Sequence, residues 1–332
     1  MREIREIQVK SELFEFLRCP DDSGELDIRC NGGSPSQALI CTVCGTSFPI
    51  VSDIPRFVKS ENYANNFGFQ WKKFQKTQLD SFSGVSVSRD RFYQQIRLKP
   101  ADLKGKTVLD VGCGAGRFTE VALDAGATVY AIDFSSAVDA CWANHRASGN
   151  LCVVQADIYR LPFAENHFDY IYCFGVLQHT PNVREAFLSL PYFLKPGGRL
   201  SVDIYLRRWH RRFHPKRILR PLTRRIEKQK LFSIVERVVP PLLALNGGLR
   251  MIPVIGKRMT RFVPVADYTG LYGLNRHQVK EWAVLDTFDW LSPAYASSQT
   301  PAKLKEWMEY AKLGDIEVEF PGFIVGRGTK VV

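Results

Sequence analysis

The chain has 332 residues, of which 45% are hydrophobic and 24% charged, an ordinary globular balance with ample apolar material for a core. That composition excludes a mostly disordered chain. Lys and Arg outnumber Asp and Glu by 45 to 34, a net charge of +11, which points toward an anionic partner and carries no information about fold.

No apolar run reaches the roughly 18 residues of a membrane span. The region around Val238 to Leu245 comes nearest, and it holds Pro240 and Pro241. The start, Met1-Arg2-Glu3-Ile4-Arg5-Glu6, is charged with both signs, so no signal peptide is expected. The eight cysteines then read as reduced thiols of a cytoplasmic protein.

Residues 1–60 are short and turn-rich and read as a small β-ribbon domain. Cys41-Thr42-Val43-Cys44-Gly45 has zinc-knuckle spacing. Its expected mate is Leu17-Arg18-Cys19-Pro20-Asp21-Asp22, where Asp22 replaces the second cysteine. Cys30 lies farther along what should be the first ribbon strand, roughly 26 Å from Asp22 if extended, and is a poor substitute. The candidate zinc ligands are therefore Cys19, Cys41 and Cys44 with Asp22 as a carboxylate fourth. A ribbon held by its own packing without metal is the alternative.

Residues 61–105 are rich in aromatics and read as linker or lid helices, with Phe67-Gly68-Phe69-Gln70-Trp71 either covering a ligand or packing between domains. From residue 106 to 205, apolar runs alternate with helical patterns. Strands are predicted over 107–111, 128–132, 151–154, 168–174 and 199–205. Helices are predicted over 115–125, 135–147 and 183–194, the last stopped by Pro196-Gly197-Gly198. Such alternation predicts a parallel sheet covered on both faces. A further helix over 301–313 precedes strands over 316–320 and 323–328. Only Pro321-Gly322 separates those two strands, so they must form an antiparallel hairpin.

The loop after the first of these strands reads Asp110-Val111-Gly112-Cys113-Gly114-Ala115-Gly116-Arg117. A dinucleotide fingerprint would need glycine where Arg117 stands. Glycines there let backbone groups approach a ligand where a Cβ would collide. Asp133 closes the second strand, where a carboxylate suits the two hydroxyls of a ribose, and Asp157 follows the third. All three acids fall at C-terminal strand ends, the ligand-binding edge of open α/β sheets.

From Val108 to Tyr205, and again from about Thr300, the sequence resembles class I S-adenosylmethionine-dependent methyltransferases. The resemblance rests on Val108-Leu109-Asp110-Val111-Gly112-Cys113-Gly114-Ala115-Gly116, on Ala131-Ile132-Asp133-Phe134-Ser135 and on Asp157 with Leu161-Pro162-Phe163. It continues through Phe174-Gly175-Val176-Leu177-Gln178-His179-Thr180 and Leu194-Lys195-Pro196-Gly197-Gly198. It implies a Rossmann-like sheet of seven strands, the last antiparallel, within residues 106–332. It further implies that Asp110, Gly112, Cys113, Gly114 and Gly116 hold the methionine part of S-adenosylmethionine. Asp133 would take the ribose, Phe134 would flank the adenine, Asp157 with Ile158 would read its amine, and Phe174 would line the site. His179 matches a histidine of the family motif at the ligand-binding edge, and its ordinary pKa suits a general base. Residues 1–60 resemble the zinc-ribbon module found fused ahead of methyltransferases, and the separate activator subunit of some tRNA and protein methyltransferases.

The segment 206–299 interrupts this pattern where the family places substrate caps. Residues 207–261 hold 16 basic and two acidic residues, a net +14, which leaves the remainder at −3. Basic residues interleaved with apolar ones suit a cap over an anionic or lipid-linked acceptor, or a face on an anionic membrane at its inner surface. Arg207, Arg208, Arg211 and Arg212 would lie nearest the ligand edge. An RNA-binding surface and a merely solvated cap are the competing readings. The function that follows is methyl transfer to an oxygen or nitrogen of a small molecule, a sugar or a lipid-linked acceptor. The alternatives are an RNA methyltransferase and a non-catalytic cofactor-binding scaffold.

Overall fold

The computed structural model describes residues 12–30, 37–59, 62–207 and 215–331. Two sheets organise the chain. The ribbon is a four-stranded antiparallel sheet in the order β1 (Leu26–Cys30), β2 (Gln37–Cys41), β3 (Ser47–Val51), β4 (Ile54–Pro55). The larger sheet is built from β5 (Thr107–Val111), β6 (Thr128–Asp133), β7 (Leu151–Gln155), β8 (Phe168–Cys173), β9 (Leu194–Ile204), β10 (Leu313–Glu319) and β11 (Ile324–Lys330). Its order is β10-β11-β9-β8-β5-β6-β7. Strand β11 runs antiparallel to both neighbours; the connection from β10 is four residues long, 320–323, still too short for a parallel crossover to β10.

The central strands are mostly apolar and almost wholly buried because both faces are covered. Helices α5 (Arg117–Asp124) and α6 (Val138–His145) follow β5 and β6, and α7 (Val183–Leu188) follows β8. The helix expected over 183–194 therefore ends six residues early. Pro191 has no N–H to continue it, and the chain tightens into a single 3₁₀ turn over Pro191–Phe193. Residues from Leu194 on are already strand, with Leu194 paired to Phe168, so Pro196-Gly197-Gly198 lies inside β9. Gly197 has φ +77°, and a Cβ on Gly198 would meet Lys195 O at 2.8 Å. These glycines let the irregular strand pass its neighbours rather than stop a helix.

The ribbon packs on the β7 side of the sheet. Leu17, Leu39 and Phe48 share one core with Ile158, Leu161 and Phe163. Phe57 N donates to Gln155 O at 2.8 Å, and Arg56 reaches both Gln155 (3.0 Å) and Asp139 (2.5 Å). Residues 62–105 form α1 (Asn65–Lys73), α2 (Asp80–Ser83), α3 (Val87–Ile96) and α4 (Pro100–Leu103). The insertion between β9 and α12 (Pro301–Tyr310) is helical. It comprises α8 (Pro215–Thr223), α9 (Lys228–Arg250), α10 (Gly256–Met259) and α11 (Arg276–Leu291). Its own core joins Phe232, Val235 and Val239 of α9 to Ala283, Leu285 and Phe288 of α11, with Phe74 beside them. Of the four arginines expected at the ligand edge, Arg208, Arg211 and Arg212 lie outside the described residues, and Arg207 is exposed.

Candidate active site

A cavity of about 510 Å³ opens at the C-terminal ends of β5, β6 and β8 and runs under the helical insertion. Its floor is the glycine loop. Gly112 (φ +80°) and Gly114 (φ +54°) adopt backbone that L side chains rarely take. A Cβ on Gly112 would sit 2.2 Å from Val176, and one on Gly114 would sit 2.9 Å from Trp71 Nε1. Only glycine leaves this cradle open. Gly112 N and Cys113 N donate to Ile132 O at 2.7 and 2.8 Å, which binds the loop to the end of β6.

Asp133 ends β6 and lines the cavity. Its Oδ2 accepts from Gly114 N at 3.1 Å, and its Oδ1 accepts from Ser135 N (2.8 Å) and Oγ (2.7 Å). Burial raises its pKa, while the Ser135 and Gly114 hydrogen bonds oppose the rise. Phe134, Ile158 and Phe174 also line the cavity, with Tyr63 against Phe134 at 4.9 Å between ring centroids. The sequence-predicted set of Gly112, Cys113, Gly114, Asp133, Phe134, Ile158, Phe174 and His179 is thus brought together in one cavity wall.

Three predicted cofactor residues are placed elsewhere. Asp110 is buried beneath the loop, accepts from Thr119 Oγ1 at 2.6 Å, and is pushed up to about 7 by burial. The Gly116 carbonyl meets His145 Nε2 at 3.0 Å on the loop's far side. Asp157 lines a separate, smaller depression against the ribbon with Asp21, Phe48 and Arg160, and its Oδ1 caps the Tyr159 N–H at 3.0 Å. Its position one residue before a wall residue is what makes the sequence ambiguous: Ala156 and Ile158 face the cavity.

His179 sits in a 3₁₀ turn after β8, between the rings of Phe67 (5.1 Å) and Tyr205 (5.6 Å). Its Nδ1 lies 2.9 Å from Tyr295 O, and a carbonyl can only accept, so Nδ1 carries the proton and Nε2 the lone pair. Burial lowers its pKa to about 4. The imidazole is therefore neutral at pH 7.

The far lobe of the cavity comes from residues that sequence reasoning missed. Asp286 and Asp289, one turn apart on α11, both face it, and burial pushes each up to about 6. Tyr268 donates its hydroxyl to Asp286, and Gln70 hydrogen-bonds Asp289. Lys216 and Arg220 of α8 approach Asp289, with the Lys216 ammonium 4.7 Å from the Trp290 ring. Arg91 of α3 pairs with buried Asp203 at 2.6 Å and lies over the Phe323 ring at 4.8 Å. Asp203 also accepts from Gly175 N (2.5 Å) and Gln95 Nε2 (2.9 Å), which fixes the end of β9 to the loop carrying Gly175. A signal for the α11 pair did exist. Acids inside Val284-Leu285-Asp286-Thr287-Phe288-Asp289-Trp290 interrupt an apolar run, and buried carboxyls are costly unless they face a partner.

In the ribbon, the ligand atoms of Cys19, Asp22, Cys41 and Cys44 all lie within 4.8 Å of one another. Cys19 Sγ and Cys44 Sγ are 3.7 Å apart, and Cys41 Sγ is 3.3 and 3.5 Å from the Asp22 oxygens. Two thiolates on one tetrahedral zinc would be about 3.8 Å apart. The four groups fit that ion. Gly24 N donates to Asp22 Oδ1 at 2.8 Å and holds the carboxylate down at about 2, so it is ionised as a ligand must be. A Cβ on Gly24 would sit 2.8 Å from Cys41 Sγ. Cys30 is exposed at the far end of β1 and takes no part.

Residues 109–202 match a family model described as a methyltransferase domain, and residues 10–52 match one described as a Trm112p-like protein. The ubiquinone biosynthesis O-methyltransferase of Pseudomonas paraeruginosa is 35% identical over 106 residues, which is 31% of this chain and 46% of that protein. The enzyme of the same description from Coxiella burnetii is 36% identical over 100 residues, 30% of this chain and 43% of that protein. The chain thus spans less than half the length of the curated relatives it matches. Among solved structures, one chain comes from a complex containing the Haloferax volcanii Trm112 methyltransferase activator, with 13% identity, TM-score 0.44 and coverage of 83% of this chain and all (100%) of that one. The Haemonchus contortus phosphoethanolamine N-methyltransferase 1 gives 21% identity, TM-score 0.33 and coverage of 46% and 34%.

Proposed function

We propose that this chain, in which a methyltransferase domain follows a Trm112p-like ribbon, transfers methyl from S-adenosylmethionine to a hydroxyl oxygen of a small acceptor. The observation that carries this reading is the continuity of one cavity, from the glycine cradle and Asp133 to a lobe walled by rings and two carboxyls. The O-methyltransferase names of the sequence relatives support oxygen as the accepting atom. The matched methyltransferase domain ends at residue 202, within β9, and the insertion that walls the far lobe lies beyond it, so we place acceptor choice in the insertion.

When bound, S-adenosylmethionine supplies a sulfonium-activated methyl group. The protein's tasks are then alignment, exclusion of water and removal of one proton. The backbone of Gly112 to Gly114 holds the methionine end, Asp133 accepts from the ribose hydroxyls, and Phe134 with Ile158 flanks the adenine. Asp110 supports the loop from below through Thr119. Phe134 and Ile158 line the cavity and would flank the adenine, and Asp157 stands near enough to Tyr63 of the same wall for its charge to add to the rise that burial gives that phenol.

For the proton, two groups compete. His179 at about 4 is a weak base, and its Nε2 lone pair suits a hydrogen bond from the acceptor hydroxyl. Asp289 at about 6 is the stronger base and lies where α11 meets Gln70, whose neighbour Trp71 covers Gly114. Asp289 takes the hydroxyl proton and His179 orients the acceptor. Lys216 and Arg220 favour an acceptor with an anionic group, such as a sugar phosphate or lipid-linked glycan. Tyr268, Trp282 and Trp290 roof the lobe, which suits a small acceptor better than an RNA strand. Intact cradle and carboxyls argue against a non-catalytic scaffold.

The ribbon holds zinc through Cys19, Asp22, Cys41 and Cys44 as a structural ion. None of the eight cysteines is paired in a disulfide, which supports a reducing compartment such as the cytoplasm. The test is product formation. Purified protein with labelled S-adenosylmethionine and a panel of hydroxylated anionic small molecules should release S-adenosylhomocysteine. Turnover on structured RNA alone would replace this reading with the RNA one.

A further inference from the structure

The tip of the insertion, residues 250–262, turns its apolar side chains to solvent. Val254 is 91% exposed, Met251 84%, Phe262 71% and Ile255 52%. A surface of this kind on a water-soluble face needs an occupant. The turn is well defined: Ile255 N donates to Pro253 O at 2.7 Å and Gly256 N to Ile252 O at 3.2 Å, while a Cβ on Gly256 would sit 2.0 Å from Leu249 O. Val254 holds φ +64°, a region that β-branched residues rarely enter, and its side chain is held outward.

The charge around the tip has one sign. The sequence contains no acidic residue between Glu236 and Asp267. Lys257, Arg258 and Arg261 are exposed and make no salt bridge among the described residues, whereas Arg250 is paired with Asp267 at 2.7 Å. That pairing ties the tip to the 267–272 loop, and Arg250 Nη1 also reaches Thr269 O at 3.4 Å. Tyr268 and Tyr272 of the same loop line the cavity, and Tyr272 is 53% exposed. The tip therefore stands beside the acceptor lobe.

We infer that residues 251–262 dock this protein on an anionic lipid bilayer, with Met251, Val254, Ile255 and Phe262 entering the headgroup boundary and Lys257, Arg258 and Arg261 pairing with lipid phosphates. Apolar side chains ringed by unpaired cations are complementary to such a surface on both counts. A second protein copy would bring a second set of the same cations against these, which charge repulsion opposes. No helix among the described residues is long and apolar enough to cross a membrane, so the attachment is peripheral. The inference concerns binding at the tip and stands whether or not the cavity catalyses methyl transfer.

The experiment is co-sedimentation of the full chain with vesicles of phosphatidylcholine alone and with about 30% phosphatidylserine. Binding is expected to the second and to fall as salt is raised. Lys257→Ser with Arg258→Ser and Arg261→Ser should lower partitioning on the order of 100-fold, since each cation near the surface is worth about fivefold. Val254→Asp with Phe262→Asp should abolish insertion, read from a Trp or dansyl probe placed at Met251. These side chains are exposed, so both variants should keep the parent melting curve. Equal sedimentation of parent and tip variants would overturn the proposal, as would a tip-dependent dimer by light scattering or tip-dependent binding to RNA with indifference to the vesicles.

Discussion

Trp71 lies directly over Gly114: a Cβ added to that glycine would meet the indole nitrogen at 2.9 Å. One side of the cofactor cradle is therefore a ring supplied by α1 rather than by the sheet. Phe67 and Gln70 of the same helix line the cavity, while Phe69 turns away to pack on Phe232 and Phe288 of the insertion. The aromatic stretch thus lines the cavity and packs on the insertion at once, each from a different face of one helix.

Calorimetry with S-adenosylhomocysteine should show binding, and no binding of NADH. Asp133→Ala should weaken S-adenosylhomocysteine at least tenfold, because the ribose hydroxyls lose their charged acceptor. Gly112→Ala should abolish it, since the new methyl meets Val176 at 2.2 Å in a backbone region alanine disfavours. Tight binding by Gly112→Ala would show that the ligand does not enter through this cradle.

Elemental analysis should give one zinc per chain, and Cys41→Ser should lose it. The melting temperature should fall in the same variant, because the ribbon shares its core with the sheet. A metal-free native preparation with unchanged melting would show that the ribbon stands on packing alone.

Asp289→Asn should cut turnover by roughly 10²–10⁴ with cofactor affinity unchanged. Asp289 is active when ionised, so wild-type rate should fall as pH drops through about 6. Lys216, Arg220 and Asp286 face the same carboxyl, and the observed midpoint belongs to that group of charges. In Asp289→Asn the acidic limb near 6 should vanish. If it vanishes in His179→Gln instead, the base is His179.

His179 also links stability to pH. Its folded pKa of about 4 lies below the unfolded value of 6.5, so between these values the unfolded chain binds more protons. Stability is full above 6.5 and is lost as pH falls toward 4, by up to about 3 kcal/mol for this residue. The raised carboxyls of Asp110, Asp286 and Asp289 act in the opposite sense. The informative measurement is therefore the difference between wild type and His179→Phe in denaturant unfolding at pH 7 and pH 5. That difference should narrow in favour of the variant at the lower pH.

The sheet was legible because its strands are buried on both faces and its glycines break the pattern where the backbone must turn. The antiparallel last strand followed from the short connection before it. What sequence spacing could not supply was direction. Asp157 and Ile158 are adjacent, and only the fold shows that Ile158 lines the cavity while Asp157 lies beside it, between the ribbon and Tyr63. The acceptor lobe was hidden for a different reason. Asp286 and Asp289 sit more than 100 residues from the glycine loop, and α11 gains its meaning only when α9 packs it over the sheet. The helix over 183–194 was misjudged because Leu194 suits a helix face and a strand equally well, and its partner Phe168 decides the matter.

The seam at Arg56 has a further consequence. With Phe57 bonded to Gln155 and Arg56 bridging Gln155 and Asp139, the ribbon covers the flank of β7, which would otherwise present unpaired backbone. A cover carried on the same polypeptide is always present in equal number, at an effective concentration set by a short linker rather than by expression. It is not diluted away as a separate subunit would be, so the flank of β7 stays covered at protein concentrations where a two-chain arrangement would come apart.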